Sequence, residues 1–193
     1  MHPAPTQAWP LPGGRVLRHL AHDDAQALFA FFESLGAQTR RRFQPHAMDL
    51  PTSQRLCACA GGATLRLVVV QDGQIQAYFI LEPQVSPHEA QRFRDQGISL
   101  EAGRDFMFAP AVTDRLQDSG IASQAMPHLL ALAGAAGARS LVLMGGTQAT
   151  NARAIAFYEK FSFQRHGGYA TEVFNHDMRC MIDTGAAAGT DRS

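Results

Sequence analysis

Cysteine is scarce: Cys57, Cys59 and Cys180 are the whole complement of the 193-residue chain. An odd number, two of them separated by a single residue, supports neither a disulfide framework nor a zinc site with C-x₂₋₄-C spacing. Such usage fits a reducing, cytoplasmic setting. Net charge is absent too, with 17 Lys and Arg against 17 Asp and Glu. No long-range field therefore favours nucleic acid or an anionic membrane. The one basic cluster, Arg40-Arg41-Arg42, reads as a solvated helix face. Eight histidines show no H-E-x-x-H or comparable ligand spacing, so no metal is expected. Met1–Gly14 carries four prolines but no apolar core, and it reads as a flexible arm rather than a secretory signal. The longest stretch without Asp, Glu, Lys or Arg, Ser119 to Ala138, contains Ser, Gln, Pro, His and Gly. That mixture suits a buried amphipathic helix and not a membrane span.

What is present is enough apolar content, 46%, for one sizeable core. A single domain is expected over 15–183, between the arm at 1–14 and a disordered tail at 184–193. Arg15 to Leu20 reads as a short strand. His22-Asp23-Asp24 supplies a cap and acidic first turn for a helix whose face is Leu28, Phe31, Phe32 and Leu35, ended by Gly36. A second short helix follows over Thr39 to Phe43. Thr64–Val70 and Gln74–Leu81 form a hairpin around Asp72-Gly73. Residues 83–104 are a polar insertion with a helix at Pro87 to Asp95, either a lid over a site or a plain surface excursion. Phe106–Ala109 and Leu141–Met144 are continuous apolar runs, the pattern of strands covered on both faces. Between them Ile121, Ala125, Leu129 and Leu132 recur at helical spacing, so strand, helix and strand make a right-handed βαβ crossover. Pro127 lies inside that helix and predicts a kink. A helix over 151–160 and two closing strands, Phe161–Arg165 and Thr171–Ile182, complete the order.

Two short segments carry chemistry. In Gln117-Asp118-Ser119-Gly120-Ile121-Ala122 a glycine opens a helix, followed by the small Ala122 and by Ser123. Exposed backbone N–H groups and the helix dipole at such a start can hold a phosphate. Asp118 in that loop weakens the field. In Asn151-Ala152-Arg153-Ala154-Ile155-Ala156-Phe157-Tyr158-Glu159-Lys160, Asn151 and Tyr158 stand two helical turns apart on one face. Asn151 is also a natural helix cap and Tyr158 a natural core aromatic.

The first segment fits the Q/R-x-x-G-x-G/A loop of the GNAT acetyltransferase superfamily, and the second resembles that superfamily's N-x-x-A-x-x-F-Y-E-K helix. Departures are the absence of Arg or Lys from the loop and Ser162 where a glycine is usual. The resemblance implies an α/β (α+β) fold: a mixed, mostly antiparallel central sheet flanked by helices and splayed between its central strands. It implies acetyl-CoA as cosubstrate, bound by backbone groups of Ala111 and Val112, by Gln117, Asp118, Ser119, Gly120, Ile121, Ala122 and Ser123, and by Asn151. Tyr158 would border the cofactor sulfur and protonate the leaving thiolate. The acceptor would be a small-molecule or peptide amine, held between the segment around 36–46 and the last strands, where Arg40–Arg42, His46, His166 and Tyr169 lie. A homodimer is compatible with family habit. The base that deprotonates the amine stays open among Asp105 on the central strand and Glu172, His176 and Asp177 near the end, while His128 reads as packed within its helix. A non-catalytic acyl-CoA-binding or interaction module is the alternative on the same fold. A nucleotide-binding Rossmann enzyme is disfavoured, because Gly134–Gly137 follows a helix and no G-x-G-x-x-G follows a strand.

Overall fold

The computed structural model of the chain describes residues 7–183. Its frame is one mixed sheet whose hydrogen-bonded path runs β1-β2-β3-β4-β5-β6-β9-β7, with β8 on the other side of β9. The strands are β1 (Ala8–Leu11), β2 (Arg15–His19), β3 (Leu65–Gln71), β4 (Gln74–Glu82), β5 (Asp105–Val112), β6 (Ser140–Leu143), β7 (Thr147–Gln148), β8 (Gln164–Ala170) and β9 (Phe174–Met181). Every pairing is antiparallel except that of β5 with β6. A doubly wound nucleotide fold, whose sheet is mostly parallel, is thereby excluded.

Among the described residues six α-helices flank the sheet: α1 (Ala25–Ser34), α2 (Ala37–Arg42), α3 (Leu50–Ala58), α4 (Pro87–Asp95), α5 (Ile121–Ala135) and α6 (Ala152–Lys160). Strand alternation sends Phe79, Leu81, Phe106 and Phe108 to the face covered by α5, with Ile121, Ala125, Met126, Leu129 and Ala133 packed against them. Tyr78, Ile80, Ala109 and Ala111 point to the opposite face, under Leu28, Phe31 and Phe32 of α1 and Cys57 of α3. Each large side chain so buried contributes about 1.5–3 kcal/mol of transfer free energy. Next to this second layer, Phe93 of α4 seals Met107 and Val142. The 83–104 insertion is therefore docked on the sheet by an apolar anchor.

Several local expectations change. The arm expected at 1–14 contains β1, which pairs with β2 from Ala8↔Arg18 to Leu11↔Arg15. Trp9 also stacks near His128 of α5, with ring centroids 5.8 Å apart. Residues 1–6 and the expected tail at 184–193 lie outside the described residues. Asp24 is the first residue before α1 but does not cap it: its carboxylate takes Arg18 at 2.5 and 2.8 Å and the Ala21 N–H. Helix α3 is capped by Asp49, whose Oδ1 accepts the Thr52 N–H at 2.7 Å, with Pro51 in its first turn. Helix α5 extends from Ile121 to Ala135 with Pro127 inside it, as the sequence placed it. Among the described residues no helix is long and apolar enough to cross a membrane.

Asp105 has a structural task at the closed end of the parallel pair. It is fully buried and accepts from Arg139 (2.7 Å), Arg179 (2.8 Å), Ser140 Oγ (2.5 Å) and the Glu101 N–H (2.8 Å). Burial pushes its carboxyl up, but the bonds from Arg139, Ser140 and Glu101 and the charge of Arg179 prevail and hold it at about 2. Because this folded value is depressed, the stabilisation is present above the ordinary aspartate value of about 3.9 and is lost as pH falls toward about 2. Replacing Asp105 by Asn leaves Arg139 and Arg179 short of a countercharge. We expect urea titrations at pH 7 to show a loss of roughly 3 kcal/mol, and the gap from wild type to close as the pH is lowered below about 4.

Candidate functional site

Strands β5 and β6 stay paired only from Asp105↔Ser140 to Phe108↔Leu143. The last rung is the Met144 N–H on the Phe108 carbonyl, at 2.9 Å. Beyond it Gly145 and Gly146 both adopt left-handed backbone, at φ 71° and 69°. The turn carries the chain away from β5, and pairing resumes with β9 at Thr147↔His176. A Cβ on Gly146 would lie 2.8 Å from the His176 carbonyl oxygen, so the turn admits only glycine there. Residues 109–112 of β5 thus keep β4 on one edge and have an open edge on the other.

Ladder parity decides which groups face the opening. The Phe108 carbonyl points toward β6, and backbone direction alternates along a strand. Pro110 and Val112 therefore face the open edge. Ala111 is paired with Tyr78, so its backbone groups belong to β4, which corrects the expectation that backbone groups of both Ala111 and Val112 bind the cosubstrate. Pro110 has no N–H, leaving the Val112 N–H as the donor of this edge. The Val112 carbonyl already accepts from Gln117 Nε2, at 3.1 Å.

A cavity of about 1260 Å³ surrounds the opening, lined among others by Ala109–Val112, Gly120–Ser123, Met144–Gln148, Asn151 and Tyr158. Helix α5 begins there. Its N-cap, Gly120, is left-handed at φ 83° and offers no side-chain cap, and the first intrahelical bond is that of the Gln124 N–H to the Gly120 carbonyl. The N–H groups of Ile121, Ala122 and Ser123 precede that bond and remain open to an anion. The other loop residues serve the loop. Ser119 Oγ donates to the Leu116 carbonyl at 2.6 Å and does not line the cavity. Gln117 bridges Val112, Thr39 and Arg153. Asp118, in left-handed backbone at φ 69°, meets Arg153 Nη1 of α6 at 3.2 Å. The cation missing from the loop is thus supplied by α6.

Asn151 caps α6, its Oδ1 accepting the Ala154 N–H at 3.3 Å. Its amide N–H₂ has no partner among the described residues and borders the cavity. Tyr158 is 8% exposed, with its ring against Phe157 and Phe163. Burial pushes its phenol well above the ordinary value, so the hydroxyl stays protonated at neutral pH. The candidate bases do not converge here. Asp105 lies about 16 Å along β5 from Pro110 at 3.3 Å per residue and is enclosed by arginines. Asp177 is fully buried and held by Arg92 at 2.9 Å and Gln96 at 3.1 Å. Glu172 and His176 do not line the cavity.

Residues that sequence reasoning passed over do line it. Glu89 of α4 accepts the Gly145 N–H at 2.7 Å. Arg92 lies over the Tyr169 ring, 4.2 Å from its centroid, and Tyr169 donates to the Gly145 carbonyl at 2.6 Å. The Gly145-Gly146 dipeptide is itself a turn signal, and Ser86-x-x-Glu89 is a capping-box pattern.

A mixed sheet opened between two parallel strands, with an uncapped helix start at the opening, defines an α/β fold suited to a long anionic ligand threaded through the sheet. The chain belongs to the acetyltransferase (GNAT) family, whose model matches residues 28–163; this is a family of acetyl-CoA-dependent enzymes. No curated protein sequence matches significantly. Solved structures share the fold at low identity. The GNAT domain of S. lividans PAT is 17% identical with a TM-score of 0.71, covering 94% of this chain and 100% of that one. The ribosomal-protein-S5-alanine acetyltransferase from Vibrio fischeri is 11% identical with a TM-score of 0.70, covering 92% and 97%. Salmonella typhimurium yncA, solved with its cofactor acetyl-CoA, is 14% identical with a TM-score of 0.67, covering 91% and 98%.

The Gly146 turn is testable. Gly146→Ala forces a side chain into left-handed backbone and against the His176 carbonyl. It should cost about 1–3 kcal/mol in urea unfolding and weaken CoA binding measured by calorimetry on the folded fraction.

Proposed function

We propose that this protein is an N-acetyltransferase that moves an acetyl group from acetyl-CoA to a primary amine by direct attack. The observation that carries this is the meeting, in one cavity, of the open β5 edge, the uncapped start of α5 and the buried phenol of Tyr158. The residues fit the cosubstrate. Three open N–H groups and the α5 dipole suit a pyrophosphate. Arg153 offsets the charge of Asp118, so the loop does not repel an anion. The Val112 N–H and the Pro110 carbonyl suit an amide-bearing arm laid along the strand edge, and the free Asn151 amide is a further donor.

Catalysis then needs proximity, thioester polarisation and proton traffic. Thioester chemistry is supplied by the cosubstrate, whose acyl carbon is electrophilic. Tyr158, held neutral by burial, is the general acid that gives its proton to sulfur as the thiolate leaves. With no N–H on Pro110 and the Val112 N–H facing the amide-bearing arm, the open edge of β5 has no further backbone donor for the thioester carbonyl. No covalent enzyme intermediate is required. The Vibrio neighbour is named for an alanine of a ribosomal protein, so a test of acceptors should include peptide N-termini and lysines beside small amines and amino acids.

The module reading, binding without transfer, predicts CoA affinity but no turnover with any amine. The acetyltransferase reading predicts CoA release with at least one amine class, and Tyr158→Phe should lower kcat by about 10²-fold with little change in CoA affinity. Arg153→Glu should weaken CoA binding roughly tenfold at low salt, and the deficit should shrink at 1 M salt as the charges are screened.

A further inference from the structure

We propose that Glu89, on the helix of the 83–104 insertion, is the proton acceptor for the attacking amine. The inference rests on the acetyltransferase reading and names the group that the motif residues do not supply. Glu89 is 6% exposed, yet its carboxylate lines the cavity. Oε1 accepts the Gly145 N–H at 2.7 Å and Oε2 accepts the Ser86 hydroxyl at 2.7 Å. Among the described residues no Lys, Arg or His forms an ion pair with it. A carboxyl group held only by neutral donors has acceptor capacity left for a cationic or proton-donating ligand.

Position makes that ligand an amine. Gly145 directly follows Met144, whose N–H forms the last rung to Phe108 before the strands part. With one peptide unit between, the Glu89 carboxylate lies no more than about 9 Å from the Phe108 carbonyl. An amine attacking an acyl carbon held where the strands part would approach on this side of the opening, with Glu89 as the acid to meet it directly or through one water. Glu82 of β4 also lines the cavity and holds two neutral donors, the Thr64 hydroxyl at 2.6 Å and the Gln84 N–H at 3.1 Å. It sits opposite Met107, however, within the stretch where β5 is still paired with β6. Asp118 takes Arg153 on the phosphate side. The charged or titratable groups around Glu89 are His88 and Arg92 on its own helix, Glu82 on β4 and Tyr169 on β8. Arg92 is neutralised by Asp177.

The step balances as follows. Glu89 takes a proton from the bound ammonium, and the freed lone pair forms the N–C bond to the acyl carbon. The nitrogen then sheds a second proton to solvent, the C–S bond breaks, and sulfur takes the Tyr158 proton. Tyr158 is reprotonated from Glu89, so one ammonium and one acetyl-CoA give one amide, one CoA thiol and one proton.

Glu89 also completes the capping box of α4, its N–H reaching Ser86 Oγ at 3.2 Å, so the test must separate anchoring from proton transfer. Gln at 89 can still accept from Gly145 and bond Ser86. For an amine accepted by the wild type, Glu89→Gln should lower kcat about 10²-fold at pH 7, with unchanged melting temperature and unchanged KM for acetyl-CoA. The deficit should shrink to a few-fold as the pH approaches the amine's own value, about 10.4 for a lysine. Glu89→Asp should recover part of the rate with the wild-type pH shape, and Glu82→Gln should stay within threefold of wild type. A Glu89→Gln deficit that is constant across pH, or under threefold, overturns the assignment while leaving the acetyltransferase reading intact. A wild type that binds CoA yet turns over no amine overturns both.

Discussion

The parting of β5 from β6 after the Phe108–Met144 rung is the constraint on which the site depends. Two left-handed glycines turn β6 away, and the second is locked by the His176 carbonyl beneath it. The open edge of 109–112, the cavity behind it and the exposed start of α5 follow from that departure. At the other end the same two strands are fastened by Asp105, Ser140, Arg139 and Arg179. One parallel pair is therefore closed by a buried ionic cluster and opened by a glycine turn, about four residues apart. A buried charge cluster is a weak source of net stability, but here it fastens the two strands at the end opposite the opening, while the glycine turn sets where pairing stops.

Electrostatics divides the cavity into two functional ends. On the α5 side the helix dipole favours an anion, with the charge of Asp118 compensated by Arg153. On the α4 side the Glu89 carboxyl group lies beside Gly145, held by neutral donors, while Arg92 is held by Asp177 and stacked on Tyr169. The insertion at 83–104 is thus more than a surface excursion, since its helix reaches the opening with a carboxylate and is anchored by Phe93 in the sheet. Tyr158 lines the same cavity as a neutral phenol, kept so by burial.

Much of this order was legible in the sequence because it rests on local pattern. Apolar runs marked β5 and β6, helical spacing marked α5, and Gly120, Asn151 and Tyr158 sit where the two motifs put them, lining one cavity. What was missed depends on pairing or on distant contacts. Strand β1 is short and proline-bearing, and only the partner β2 makes it a strand. The idle state of Ala111 is a matter of ladder parity, which no motif encodes. Asp105 looked like an acid on the central strand, and only the fold reveals the two arginines enclosing it from β9 and the turn before β6. Glu89 was hidden in a polar insertion, since a Ser-x-x-Glu cap and a proton acceptor have the same sequence signature until Gly145 is brought against it.

The central claim is that the open β5 edge and the start of α5 together bind the cosubstrate. Residue-resolved amide NMR during titration with CoA tests it most directly. The account predicts the largest changes at the Val112, Ile121, Ala122 and Ser123 amides, with the Asp105 and Ala111 amides little changed. Binding that leaves Val112 and residues 121–123 unperturbed while shifting amides elsewhere would contradict it.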